Sequence, residues 1–181
     1  MAVRANDSKK VDELLKLGKA IDLDFKVRSN PFHSMSQDTL TPVMDAASTN
    51  NLPMVRQLVE GGADINTCYD ARERMDEDYD GDRADLETLP HIAINKGNVE
   101  MLEYVLGQGA DANKPTTHGE YPVHYVMYKK ELTDDFRMRC INALSNGGCN
   151  LNQGAEHSEM EGATLAHQLA LANKHKIITN L

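Results

Sequence analysis

Tryptophan is absent from this chain of 181 residues, and aromatic side chains make up only 5% of it. Any core must therefore be built mainly from aliphatic residues and methionine. No apolar run approaches the roughly 20 residues that a membrane-spanning helix needs. The opening residues, Met1 to Asp7, lack the apolar stretch of a secretory signal. Cysteine is scarce: Cys68, Cys140 and Cys149 are odd in number and in no CxxC spacing. That pattern suits a reducing compartment, with the cytoplasm as the default. Positive charge is also short, with 19 Lys+Arg against 28 Asp+Glu and a net charge of −9. Nucleic-acid binding needs a basic footprint to displace counterions from phosphates, and anionic membranes demand the same, so both are disfavoured as partners. Another protein, carrying a basic surface, is the expected partner. A glycine-rich phosphate loop, a serine elbow and an HExxH pair are all missing, so no catalytic residues are assigned and no enzyme activity is expected.

What is present is a repeat. Thr41-Pro42-Val43-Met44-Asp45-Ala46 lines up with Thr88-Leu89-Pro90-His91-Ile92-Ala93, and with Tyr121-Pro122-Val123-His124-Tyr125-Val126. Thr164-Leu165-Ala166-His167-Gln168-Leu169 is a fourth copy. Each of the first three leads to a glycine turn: Gly61-Gly62-Ala63-Asp64-Ile65-Asn66, Gly109-Ala110-Asp111-Ala112-Asn113, and Gly147-Gly148-Cys149-Asn150-Leu151-Asn152. A Thr can cap a helix and a Pro fits its first turn, where a missing N–H costs nothing. The glycine ends the second helix in the left-handed conformation. Between the two motifs, Val55, Leu58 and Val59, then Leu102, Val105 and Leu106, recur at helical spacing.

These residues resemble the ankyrin repeat family, whose unit reads Thr-Pro-Leu-His-x-Ala, two short helices, then Gly-Ala-Asp-x-Asn. The resemblance implies an all-α solenoid and a non-catalytic module for protein–protein recognition. Helix pairs are expected at about 41–60, 88–107, 121–146 and 164–181, with no extended sheet. As a single domain over 1–181, the chain divides into a partial N-terminal repeat (1–24), repeat 1 (41–66), an acidic insertion (67–87), repeat 2 (88–114), repeat 3 (121–153) and a partial repeat 4 (164–181).

Spacing places the insertions. Met44 to His91 is 47 residues, His91 to His124 is 33, and His124 to His167 is 43. Against a period of about 33, the outer two intervals carry 14 and 10 extra residues. All 14 fall after Asn66, while 6 of the 10 lie between paired helices around Lys129 to Phe136 and 4 near Gly154 to Gly162. The chain opens inside a unit, with Val11, Leu14 and Leu15 aligned to Leu102, Val105 and Leu106, and it stops midway through a second helix. Solenoid ends normally carry polar caps, so a longer parent chain is expected. A targeting domain of a larger enzyme or effector is then an alternative. Irregular repeats with long inserts resemble those of effectors that intracellular bacteria deliver to a host cytoplasm.

Three features invite a sharper function. His91, His124 and His167 recur at one position, but in separate repeats on the order of 10 Å apart, too far to share an ion at ~2 Å. The resemblance implies that each bonds within its own turn. Asp76-Glu77-Asp78-Tyr79-Asp80-Gly81-Asp82 through Glu87 matches an EF-hand loop, with Asp76, Asp78, Asp80, Asp82 and Glu87 as candidate Ca²⁺ ligands. Arg83 stands where an aliphatic is usual, and residues 67–87 hold nine acidic side chains and three Arg, so a solvated acidic loop is the competing reading. Partner binding is expected through a concave groove and the enlarged loops, at Asn95, Lys96, Tyr125, Tyr128, Lys129 and Gln168. The alternative for the two tyrosines is that they cover the core.

Overall fold

The computed structural model describes residues 2–3, 5–16, 23, 27–28, 39–68, 87–116, 119–128, 132–154 and 162–171. The chain forms two units, Met1–Asp85 and Leu86–Leu181. Among the described residues no helix is long and apolar enough to cross a membrane.

In the first unit, α1 (Ser8–Leu15) starts at Asp7, whose carboxylate accepts the Lys10 N–H at 3.0 Å. A two-residue antiparallel pairing follows, β1 (Val27–Arg28) with β2 (Thr39–Leu40), Val27 opposite Leu40. It is the only strand pairing among the described residues, and too short to change the all-α class. Next come α2 (Pro42–Ser48) and α3 (Leu52–Glu60), packed on each other. Their turn passes through Asn50 at φ 58°, and Asn51 caps α3 by accepting the Met54 N–H at 3.2 Å. Val43, Met44, Ala46, Met54, Val55 and Leu58 form the core. α1 meets α3 so closely that a Cβ on Gly61 would lie 2.6 Å from Leu15 Cδ2.

The second unit contains α4 (Leu89–Asn95), α5 (Val99–Gly107), α6 (Pro122–Tyr128), α7 (Asp134–Asn146) and α8 (Leu165–Leu171). The first helices of successive repeats pack as α4 on α6 and α6 on α8, and the second helices as α5 on α7. Leu102 and Val105, which recur at helical spacing, are fully buried with Met101, Ile141 and Leu144. Leu106 stands against Gly147 as Leu15 stands against Gly61. The turn glycine of each repeat is left-handed, at φ 96° for Gly62, 94° for Gly109 and 81° for Gly148. Beyond it the Asp-x-Asn signature has a local cause: Asp64, Asp111 and Asn150 each accept the N–H two residues on, at 2.9, 2.8 and 3.1 Å.

The third repeat departs from the pattern. α7 has 13 residues where α3 and α5 have 9 each. Much of the insertion placed around Lys129 to Phe136 is thus an extra N-terminal turn of helix, capped by Thr133, which accepts the Phe136 N–H at 3.2 Å. The residues that would form the corresponding turn after α6, 129–131, lie outside the described residues. Ala46 O receives the Asn51 N–H at 2.9 Å and Ala93 O the Asn98 N–H at 3.0 Å. The equivalent carbonyl, Val126 O, receives Arg137 Nη1 instead, at 2.9 Å. Counted back from the turn glycine, Arg137 holds the position of Asn98, so a buried guanidinium donates where the aligned residue of repeat 2 donates its backbone N–H.

Candidate partner-binding face

The first-helix layer of the second unit is built on the recurrent histidine. His91 Nδ1 lies 3.3 Å from the Thr88 N–H and 2.8 Å from Thr88 Oγ1, while Nε2 lies 3.0 Å from Glu120 O. A backbone N–H only donates and a carbonyl only accepts, so Nδ1 is the acceptor and Nε2 carries the proton. Burial pushes this imidazole down to about 4, against a smaller upward pull from the Glu120 carbonyl. His91 is therefore a neutral clamp between Thr88 of its own repeat and the turn before the next one, so it reaches beyond its own turn rather than bonding only within it. His124 makes the same onward bond, Nε2–H to Gln153 O at 2.8 Å, and burial lowers its pKa too. Tyr121 has replaced its capping Thr, however, and buried His124 Nδ1 has no partner. In repeat 4 the pair returns, Thr164 Oγ1 to His167 Nδ1 at 2.9 Å. In repeat 1 the Thr stays and Met44 replaces the histidine, which leaves buried Thr41 Oγ1 unpartnered.

Against this frame sits a polar cluster. Tyr125, in the first turn of α6, packs edge-on against His91 with ring centroids 5.3 Å apart. Its ring is buried, at 8% exposure. Its hydroxyl donates to Glu87 Oε1 at 2.5 Å, the length of a charge-assisted bond. Asn95, exposed at the end of α4, donates Nδ2 to the same oxygen at a long 3.4 Å. The structure thus brings together Asn95 and Tyr125, named for partner binding, with Glu87, named for calcium. Lys96 is exposed next to Asn95.

The other named residues fall elsewhere. Gln168 is interior, 2% exposed on α8, which packs on α6. Tyr128 closes α6, but its side chain, Lys129 and the calcium candidates Asp76, Asp78, Asp80 and Asp82 lie outside the described residues. No cluster of potential metal ligands occurs among the residues described. Cys140, aligned with Met101, is buried like it, and burial pushes its thiol up to about 12 and that of Cys149 up to about 11. Both stay protonated at neutral pH and make poor nucleophiles. The bond between Tyr125 and Glu87 had no signal in the sequence, because residues 38 apart are joined only when two repeats stack. Arg137 did leave one: it stands at the position of Asn98, behind an insertion between the paired helices.

A model of ankyrin repeats, in three copies, matches residues 1–116. A stretch of 77 residues, 42% of this chain, is 32% identical to "Potassium channel AKT1" of Arabidopsis thaliana and covers 7% of that protein. The chain thus spans a small part of this relative's length. Domains of the matched family generally serve as protein–protein interaction modules and are typically non-catalytic. The Thr164–His167 pair, the left-handed Gly148 and the tip at Asn150, which stands in for Asp, continue the pattern beyond residue 116, and on this match and this geometry the chain belongs to the ankyrin repeat family.

Proposed function

We propose that the first-helix face of the second unit, centred on Asn95, Lys96 and Tyr125, binds a partner protein with a basic surface. The observation that carries this is the Tyr125–Glu87–Asn95 cluster. It bridges α4 and α6 with a built polar network rather than with loose solvated side chains. The buried Tyr125 serves the face from beneath by holding Glu87, while Asn95 and Lys96 are exposed for contact. The net charge of −9 favours a cationic partner. In the calcium-gated version of this function, residues 76–87 would be the switch. Glu87, its one described member, already has Oε1 engaged by Tyr125 and Asn95, so we favour binding that needs no metal. The same module would serve if the stack targets a larger enzyme or effector.

A photo-cross-linking group at Lys96 tests the reading against one at Glu103, an exposed residue of α5 on the rim of a 380 Å³ cleft with Leu106, Arg139 and Asn142. The expected result is saturable capture of one protein at position 96, competed by excess unlabelled chain. Capture at position 103 alone would move the binding surface to the second helices.

A further inference from the structure

Glu87 is a half-buried carboxylate with no cation paired to it among the described residues. Both groups that hold it, the Tyr125 hydroxyl and the Asn95 amide, are neutral donors, and both reach the same oxygen, Oε1. Among the described residues, neither a hydrogen bond to Oε2 nor an ion pair to Glu87 is seen. A partly desolvated charge oriented by dipoles alone keeps most of its attraction for an incoming positive group. Fixing one oxygen also removes the rotamer freedom that a free glutamate would lose on binding.

The geometry points to Glu87 as the socket for one cationic side chain, lysine or arginine, of a basic partner segment. Tyr125 acts there as a positioning residue through its hydroxyl. This rests on the first-helix face being the binding surface and adds which residue reads the charge. Glu87 precedes the capping Thr88 of α4, so the helix anchors its backbone while Tyr125, from the next repeat, fixes its side chain. The contact is a single oxygen, Oε2, which an ammonium or one edge of a guanidinium can meet. The Tyr125 ring is buried against His91 and offers no open face for stacking.

The test uses the full chain and two synthetic peptides, Gly-Arg and Gly-Lys alternating four times, with a Gly-Gln peptide as blank, titrated by NMR at low salt. Binding should shift the side-chain amide signal of Asn95 with both cationic peptides and not with the blank. Glu87→Gln should weaken binding at least tenfold, and Tyr125→Phe, which keeps the ring on His91, about threefold. Glu103→Gln, the same charge change on α5, should alter it less than twofold. Equal weakening by Glu87→Gln and Glu103→Gln would mean bulk attraction only, and would overturn the socket. A Tyr125→Phe chain that binds like wild type would overturn the positioning role. If the peptide results fail while cross-linking at Lys96 still captures a partner, the socket falls and the binding face stands. If the reverse is found, the face falls.

Discussion

Repeats 2 and 3 of the second unit share a fold but not a set of bonds. In repeat 2, His91 is satisfied on both nitrogens and the Asn98 N–H closes α4. In repeat 3, His124 is satisfied on one, and the Arg137 side chain donates to the α6 carbonyl equivalent to Ala93 O. The family frame therefore survives the loss of either device, provided the orphaned group finds a substitute or its cost is borne by burial elsewhere. Repeat 3 should be the one whose stability hangs on single side chains. The face proposed for binding sits on the junction between the two, where Tyr125 of the irregular repeat leans on His91 of the regular one.

The sharpest way to break this comparison is at the substituted turn. Arg137→Met removes the buried charged donor to Val126 O, so it should cost about 2–3 kcal/mol. Asn98→Ala in repeat 2 loses the side-chain cap on Met101 and keeps the closing backbone N–H, so about 1 kcal/mol is expected. Urea unfolding of the two variants checks the order, and equal costs would mean that Arg137 does not stand in for the turn.

The next effect is pH dependence. The unfolded chain protonates histidine near 6.5, while folded His91 resists protonation until about 4. Between these values the unfolded state binds the extra proton, so stability is full above about pH 7 and falls as the pH drops. His91 alone should remove about 2 kcal/mol between pH 7.5 and pH 5, and His124 is displaced in the same direction. His91→Gln should be less stable at pH 7.5 yet show a shallower slope. An unchanged slope would place the acid sensitivity elsewhere.

How much of this was legible in the sequence follows from the physics of each signal. Helix positions and turn glycines were readable because caps, periodic apolar residues and left-handed turns are local, and α2 through α7 fall inside the expected windows. The burial of Leu102, Val105 and Cys140 followed from repeat alignment alone. Side-chain direction was not readable at the groove positions. Gln168 and Tyr125 align with each other, yet the alignment could not tell that one lies wholly inside while the other keeps its hydroxyl on a carboxylate. Nor could it tell that part of an insertion would be helix, since Thr133 becomes a cap only once the chain at Asp134 turns helical. Both depend on contacts between repeats, which no single repeat encodes.

The smallest effect comes from the Thr of the clamp, and it isolates the bond itself. Thr88 and Thr41 are both buried, both precede the first helix of a repeat, and both have Pro within the first two helical positions. They differ in that Thr88 Oγ1 meets a histidine nitrogen at 2.8 Å and Thr41 Oγ1 meets nothing. Thr→Val keeps the shape and removes the hydroxyl. At position 88 the change breaks a buried bond and leaves Nδ1 with the long backbone N–H alone, so a loss of about 1–2 kcal/mol is expected. At position 41 it removes an unpaired buried polar group, so stability should be unchanged or rise by up to about 1 kcal/mol. Thermal unfolding of the two single variants, with the double variant to check additivity, decides the matter. Equal losses at both sites would mean that the threonines act through helix entry rather than through the histidine, and the contrast between repeats would then lie in the turns alone.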